Sequence, residues 1–167
     1  MAGGKERTLT TWQHNDIVVL MAIPPFQPDG LLPPGIHGSD WPEVTSRFGA
    51  TLYRQSLMSG LLEAAKLLSF AHCPMLYLDG SFVTGKAYPG DFDACWDPTG
   101  VDVLRLDPVF LDFSNRRAAQ KARFRGELFL ANAKAEPVGN TFLQFFQIDK
   151  NTGKAKGIVA LGLGGLA

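Results

Sequence analysis

Residues 75–96 constrain the fold more than any other part of the chain. They begin with a short apolar run (MLYL) of the type found in buried strands, and the run stops at a Gly80-Ser81 pair. A loop containing glycine and proline follows, and residues 91–96 (DFDACW) then alternate with a period of two. The pattern predicts a strand, a Gly-Ser turn, a loop and a second strand.

Two aspartates, Asp91 and Asp93, stand two residues apart in the second predicted strand. Because successive strand side chains point to opposite faces, these two share a face and lie roughly 6.5 to 7 Å apart along the strand. Their mutual repulsion and their burial are costly unless a cation lies between them. Carboxylate and water ligands suit Mg²⁺ and Mn²⁺, so the pair is a candidate site for either ion.

This arrangement resembles the core motif of the DNA polymerase beta-type nucleotidyltransferase superfamily. That motif has Gly-Ser at a strand end and, about ten residues later, Asp-hydrophobic-Asp on the next strand, as at residues 80–93 here. Within the superfamily the chain is similar to a compact bacterial group that shares LPPGIH (residues 32–37), RFG (47–49) and DGSFV (79–83). The resemblance extends from about residue 30 to residue 161.

The resemblance implies both a fold and a reaction. The implied fold is α+β, a small twisted mixed sheet with helices mainly on one face. The implied reaction is transfer of a nucleoside monophosphate from an NTP to a hydroxyl of a protein or RNA acceptor, with Mg²⁺ or Mn²⁺ as cofactor. In that reaction Gly80 and Ser81 would hold the triphosphate, while Asp91 and Asp93 would bind the metal.

Glu127 allows two interpretations. It lies on the next predicted strand, where the superfamily has a third catalytic and metal-binding acid, although aspartate is more usual there. It is equally well explained as a glutamate on an edge strand that faces water. The longer side chain would alter the coordination geometry. A catalytically degenerate nucleotidyltransferase-fold module that binds and neutralises a partner protein is therefore the alternative function.

Positive charge is concentrated in one segment of a chain whose net charge is zero, with 16 basic and 16 acidic residues. Residues 114–123 are predicted to form a capped helix, with Arg117 and Lys121 one turn apart on the same side. The segment is either a solvated helix face or a local site for phosphate or nucleic acid. Its cations are Arg116, Arg117, Lys121, Arg123 and Arg125.

Residues 80–86 also satisfy most of the P-loop pattern G-x-x-x-x-G-K-[ST]. In a P-loop, a Ser or Thr that ligates Mg²⁺ follows the lysine, and a helix whose N-terminus binds phosphate begins there. Here Ala87 replaces the hydroxyl and Pro89 and Gly90 oppose a helix. The pattern therefore argues against a P-loop and leaves Lys86 as a hypothetical contact to a triphosphate.

Helical periodicity is strongest over residues 51–70, where leucine and alanine recur every three or four positions. The pattern predicts an amphipathic helix that packs on the sheet. A shorter helix is predicted to start at Ser39 or Asp40 and to end near Gly49.

We expect a single domain at residues 24–161, with a proline-rich arm at 24–42, an N-terminal extension at 1–23 and a tail at 162–167. The chain is too short for the separate helical domain with which many superfamily members bind the acceptor. We therefore expect a partner protein, a second copy or the proline-rich arm to complete the acceptor pocket.

The expected setting is the bacterial cytoplasm. Two cysteines are too few for a disulfide framework or a structural zinc site, and no segment reaches the length of a membrane span. By analogy with minimal members of the superfamily, the partner would be the toxin-like product of a neighbouring gene in a toxin–antitoxin or phage-defence pair.

Overall fold

A mixed sheet forms the centre of the protein, whose computed structural model describes residues 11–14, 17–136 and 139–166. Within these ranges the chain forms seven strands in the spatial order β1-β2-β3-β7-β4-β5-β6. The strands are β1 Thr11–His14, β2 Ile17–Met21, β3 Gly35–Ser39, β4 Met75–Asp79, β5 Phe92–Trp96, β6 Gly126–Leu130 and β7 Gly157–Gly162.

Strand β4 is entirely buried and pairs antiparallel with both of its neighbours, β5 and β7. β5 and β6 are parallel, as are β3 and β7 and also β2 and β3, whereas β1 and β2 are antiparallel. The two strands predicted around the Gly-Ser turn are therefore direct neighbours, and the predicted mixed sheet is confirmed.

Four α-helices lie within the described residues: α1 Trp41–Phe48, α2 Leu52–Phe70, α3 Ser114–Phe124 and α4 Phe142–Phe146. The Asp40 carboxylate accepts a hydrogen bond from the Glu43 amide at 2.9 Å and caps α1. The Thr51 hydroxyl accepts one from the Arg54 amide and caps α2. The starts predicted near these residues are confirmed, because a capping side chain is a local signal.

Helices α1 and α2, together with Phe124 at the end of α3, cover one face of the sheet. Buried leucines of α2, including Leu57, Leu61 and Leu68, belong to this core together with Phe92 and Trp96. A second, smaller apolar cluster lies on the opposite face, where α4 packs. The α+β class with helices mainly on one face is therefore confirmed.

Helix α2 approaches α3 closely at Gly60. A Cβ atom at this position would overlap the carbonyl group of Phe124, the last residue of α3. Only glycine therefore allows the two helices to cross at this distance.

The first turn of α3 differs from the predicted capped helix. Asn115, Arg116 and Arg117 have φ of 46°, 55° and 58°, which is the left-handed region. Ser114 does not cap the helix, because its amide and hydroxyl both donate to the Asp112 carboxylate, at 3.0 and 2.6 Å. The predicted helix is present as α3 and starts at Ser114, but the predicted cap was wrong, and right-handed helical backbone begins only after Arg117.

The proline-rich arm lies against the body of the protein. The Phe26 ring packs on Phe48, and the Arg47 guanidinium lies 4.1 Å from the Phe26 centroid. The arm contains β3, and it buries Leu32. These contacts place residues 28–31 beside the strand ends described below.

The two terminal segments also contribute to the described structure. Of the expected extension at 1–23, residues 11–14 and 17–21 form β1 and β2, while residues 1–10, 15 and 16 lie outside the described residues. Of the expected tail, Gly162 ends β7 and Leu163 is buried, while residue 167 lies outside. Nowhere in the described ranges is a helix both long and apolar enough to cross a membrane.

Candidate functional site

Three acidic residues stand side by side on neighbouring strands. Asp79 ends β4 and is paired in register with Asp93 on β5, which is paired in turn with Glu127 on β6. Directly paired residues point to the same face of a sheet. Tyr77 and Cys95, each two residues from this row, belong to the apolar cluster beneath α4. The acidic row therefore lies on that face, away from α1 and α2.

Asp91 adds a fourth carboxylate to this group. It immediately precedes β5 and lines the same cleft as Asp79 and Asp93. Its negative charge helps to raise the pKa of Asp93, which places the two carboxylates within electrostatic reach of each other. Asp91 and Asp93 thus face a common space, as the two-residue spacing predicts.

Lysines neutralise two of the four carboxylates. Lys156 Nζ lies 2.6 Å from Asp79 Oδ1, with 13% and 10% of the two side chains exposed. Lys121 Nζ lies 3.2 Å from Glu127 Oε1. Within the described part of the chain, no hydrogen bond or ion pair engages the side chain of Asp91 or of Asp93. We call Asp91 and Asp93 the unpaired aspartates. Both are available to bind a cation from solution.

The surroundings of Asp93 favour its protonated form. Burial raises the pKa of Asp93 to about 7, and the charge of Asp91 is the next largest cause. Asp79 and Glu127 act in the same direction, whereas Lys150 opposes them. Removing the proton at neutral pH leaves several negative charges close together, which a bound cation would offset.

The turn between β4 and β5 requires its glycine. Gly80 has φ 75° and ψ −170°, a region that essentially only glycine adopts. A Cβ atom here would also overlap the Asp93 carboxylate. Ser81 opens a short 3₁₀ turn and lines the cleft, and no described residue is hydrogen-bonded to its hydroxyl. The turn thus presents backbone and a small polar side chain beside the unpaired aspartates.

A buried arginine holds the loop that follows this turn. Arg54, on α2, donates to the carbonyl oxygens of Phe82, Thr84 and Lys86 at 2.8, 3.0 and 2.7 Å. Burial lowers its pKa, but the guanidinium remains charged far above neutral pH. The loop backbone is therefore fixed, and Lys86 lines the cleft from a defined position.

The acidic groups and the loop border a cleft of about 880 Å³. One wall is formed by the loop and by the arm, which are joined by a hydrogen bond from the Gly85 amide to the Gly30 carbonyl at 2.9 Å. The remaining lining includes rings of β6 and α4 and residues 148–151. We call the acidic residues of this lining its acidic end and the rings its aromatic end.

The donor set suits a transient metal ion better than a permanently held one. In the described ranges, no group of three or more His, Cys, Asp or Glu side chains is arranged to hold a metal. The unpaired aspartates supply two carboxylates in one cleft. Mg²⁺ commonly takes only one or two carboxylates and completes its shell with water and substrate phosphates. Two carboxylates in one cleft are therefore a donor set that fits Mg²⁺.

Five of the predicted site residues line the cleft, and three do not. Those that line it are Gly80, Ser81, Lys86, Asp91 and Asp93. Glu127 stands beside Asp93 in register but is paired with Lys121 outside the cleft lining. The Arg117 guanidinium lies 3.8 Å from the centroid of Phe129, a ring that does line the cleft. The structure therefore assembles the turn and the aspartate pair, but not the predicted basic residues of α3.

Several cations of the predicted basic segment are engaged by other side chains. Arg123 contacts the carboxylates of Glu63 and Asp107, each at 2.7 Å. Arg125 donates to the Ser56 hydroxyl at 2.6 Å. With the lysine of α3 also paired, this helix offers less charge to a nucleic acid than its sequence indicates.

Sequence reasoning missed Asp79 and Lys156 as members of the site. Asp79 could have been found, because it ends an apolar strand directly before the Gly-Ser turn. The residues around Lys156 do not indicate that it belongs to the site, because its partner Asp79 is 77 residues away in the sequence. Lys150, in a polar turn, was missed for the same reason.

Replacing Gly80 with alanine is expected to destabilise the protein by roughly 1 to 3 kcal/mol, from backbone conformation alone. The new methyl group would also displace the Asp93 carboxylate. Urea unfolding measures the loss, and Gly90→Ala is the matched control, because a Cβ there meets no atom within 4 Å. Equal stabilities for the two variants would contradict this account of the turn.

These features define a class of protein: an α+β domain whose mixed sheet presents two unpaired aspartates beside a glycine turn in a large cleft. The model of the family described as "Family of unknown function (DUF6932)" matches residues 24–162, and the chain belongs to that family. The chain matches no curated protein and no solved structure.

Proposed function

We propose that this protein is a Mg²⁺-dependent nucleotidyltransferase of the DNA polymerase beta type. It would transfer a nucleoside monophosphate from an NTP to a hydroxyl of a protein or RNA acceptor. The observation that carries the proposal is the pair Asp91 and Asp93, which share a cleft without an internal cation and lie beside the Gly80-Ser81 turn.

The residues of the cleft have separable roles in this reaction. Asp91 and Asp93 would hold Mg²⁺, which when bound lowers the pKa of the acceptor hydroxyl and offsets charge on the phosphates. The Gly80-Ser81 turn would orient the triphosphate through amides and a hydroxyl. Lys86 would offset charge on the leaving pyrophosphate. The acceptor hydroxyl would lose its proton to solvent while its oxygen forms a bond to the α-phosphorus. The bond from that phosphorus to the bridging oxygen of the β-phosphate breaks, and pyrophosphate leaves.

The test is incubation with each NTP, labelled at the α-phosphate, and Mg²⁺ or Mn²⁺. The protein is assayed alone and with the product of the neighbouring gene. Wild-type protein is expected to label an acceptor. Asp91→Ala and Asp93→Ala should each reduce the rate by at least about 10³-fold, because several kcal/mol of charge stabilisation is lost. Asp102→Ala, which removes an exposed aspartate outside the cleft, is the control. Labelling that persists in both cleft variants would refute the proposal.

One observation favours the second candidate function, a degenerate module that binds and neutralises a partner. Lys121 engages Glu127, so the acid at the third position of the superfamily motif is already neutralised. A module of this kind would retain its partner in both aspartate variants, and no labelled product would form with any NTP. Glu127→Gln separates the two functions further, since it should slow transfer only if Glu127 takes part in catalysis.

The proposed setting is the bacterial cytoplasm, where the protein would act in a toxin–antitoxin or phage-defence pair. A toxin-like neighbour or a second copy of this chain would complete the acceptor pocket. The two free cysteines are buried, and burial raises the pKa of Cys73 to about 12, so this thiol stays protonated and unreactive. Co-purification with the neighbouring gene product tests the pairing.

A further inference from the structure

The aromatic end of the cleft contains a packed cluster of rings. The Phe129 centroid lies 4.3 Å from that of Phe142 and 5.7 Å from that of Phe146. Phe142 and Phe146 are 6.1 Å apart. These three rings stabilise one another and attach α4 to the sheet, so their presence in the cleft wall is explained by packing.

Phe145 is more exposed than these three rings and packs less closely. Its side chain is 40% exposed, and its nearest ring partner is Phe146 at 6.5 Å. Ile148, three residues later, is 38% exposed and lines the same cleft. Two large apolar side chains thus remain open to solvent inside a cleft, where such surface commonly marks a ligand site.

The chain after Phe145 adds a cation to the same cleft. Lys150 is five residues further on, at most about 18 Å along the chain. It lines the cleft together with Asp79 and Asp93. Residues 145–150 therefore bring exposed apolar surface and a positive charge to one cleft.

This segment is held in place. The Asp149 carboxylate accepts hydrogen bonds from the Thr152 hydroxyl and amide, at 2.6 and 3.1 Å. Ile148 forms an antiparallel bridge with Ala155, next to Lys156, which is anchored on Asp79. The spacing between the two ends of the cleft is therefore built into the fold.

We propose that Phe145, with Ile148 beside it, stacks on the base of the nucleoside triphosphate. This inference rests on the proposed function and specifies how the substrate is held. An NTP has a charged end and a flat aromatic end, and one cleft offers both acidic and lysine side chains and an exposed ring. Stacking on a ring is tolerant of base identity, because every base has a π-face. The site therefore accepts different NTPs.

The test compares the binding of Mg-ATP, Mg-UTP and inorganic tripolyphosphate with Mg²⁺ by titration calorimetry. Phe145→Ala is expected to weaken ATP and UTP binding by about 5- to 150-fold, the range measured for loss of one base stack. Tripolyphosphate has no base, so its affinity should not change. Phe145→Trp should restore nucleotide binding. Phe70→Ala, which removes another half-exposed ring at 55% exposure outside the cleft, should leave all three affinities unchanged.

The outcomes separate this inference from the proposed function. If Phe145→Ala binds the nucleotides as wild type does, or weakens tripolyphosphate equally, stacking on Phe145 is refuted while the triphosphate site stands. If wild-type protein binds none of the three probes, both the proposed function and the stacking fail. Phe145→Leu keeps apolar contact with Phe146 and is used if the alanine variant does not fold. Phe145→Leu should also bind ATP and UTP more weakly than the wild type, and it should bind tripolyphosphate equally well.

Discussion

At pH 8 and without divalent cations, Asp93→Asn is expected to be more stable than the wild-type protein by roughly 2 to 4 kcal/mol. Burial, followed by the charge of Asp91, raises the pKa of Asp93 from 3.8 to about 7. As the pH rises from 4 to 7, the unfolded chain gives up this proton while the folded protein retains it. The wild-type protein is therefore progressively destabilised over that range. Asparagine does not ionise, so the variant does not lose this free energy of unfolding as the pH rises.

Urea unfolding at pH 4, 6 and 8 in the presence of a chelator measures this difference. The two proteins should have nearly equal free energies of unfolding at pH 4, and the gap should reach its full size above pH 7. Asp102→Asn, which removes an exposed aspartate that is ion-paired with Arg105, is the control and should show no such rise. A gap that is independent of pH would contradict the assigned cause.

Adding Mg²⁺ should reduce the difference in free energy of unfolding between the two proteins, because the ion should stabilise the wild type more than the variant. A ligand that binds only the folded state stabilises it by RT ln(1 + [L]/Kd), and the variant lacks one of the two carboxylates that would hold the ion. A variant that is more stable and yet inactive would show that Asp93 is maintained at a cost to folding. That is the behaviour expected of a functional residue.

Lys156→Met is expected to destabilise the protein by about 3 to 5 kcal/mol at pH 8, the range found when one partner of a buried ion pair is removed. Asp79 would keep its charge with only 10% of its side chain exposed. Burial raises the pKa of Asp79 even with Lys156 present to lower it. Without the lysine that pKa rises further, so the loss of stability should shrink as the pH falls and Asp79 takes up a proton.

The double variant Asp79→Asn, Lys156→Met isolates the interaction. Removing both charges leaves no buried ion, so most of the stability lost in the single variant should return. Denaturation of the wild type, both single variants and the double variant gives the coupling free energy directly. If the double variant is as unstable as Lys156→Met, Lys156 stabilises the fold by packing rather than by neutralising Asp79.

Much of the fold could be predicted from local periodicity in the sequence. The apolar run before the Gly-Ser turn became β4, the two-residue alternation after it became β5, and the recurrence of leucine every three or four residues became α2. These elements were predictable because neighbours in sequence set the pattern. The capping groups of Asp40 and Thr51 act within three residues, and they too could be read from the chain.

The first turn of α3 shows where local reasoning stops. Residues 114–123 have helical composition, yet Asn115 to Arg117 adopt left-handed φ values. Asp112 holds the Ser114 amide and hydroxyl, while the Arg117 guanidinium lies over the Phe129 ring of β6. The second contact joins segments that are distant in sequence, so no helix propensity could have predicted it.

The sequence by itself predicted that Asp91 and Asp93 face a common space next to a glycine turn, because side chains two residues apart in extended backbone point the same way. Only the tertiary structure decided which acids remain unpaired. Strand register places Asp79 beside Asp93, and Lys156 reaches Asp79 across 77 residues of chain. Such pairings depend on which strands become neighbours, and that choice is made by the packing of the whole domain rather than by any local pattern.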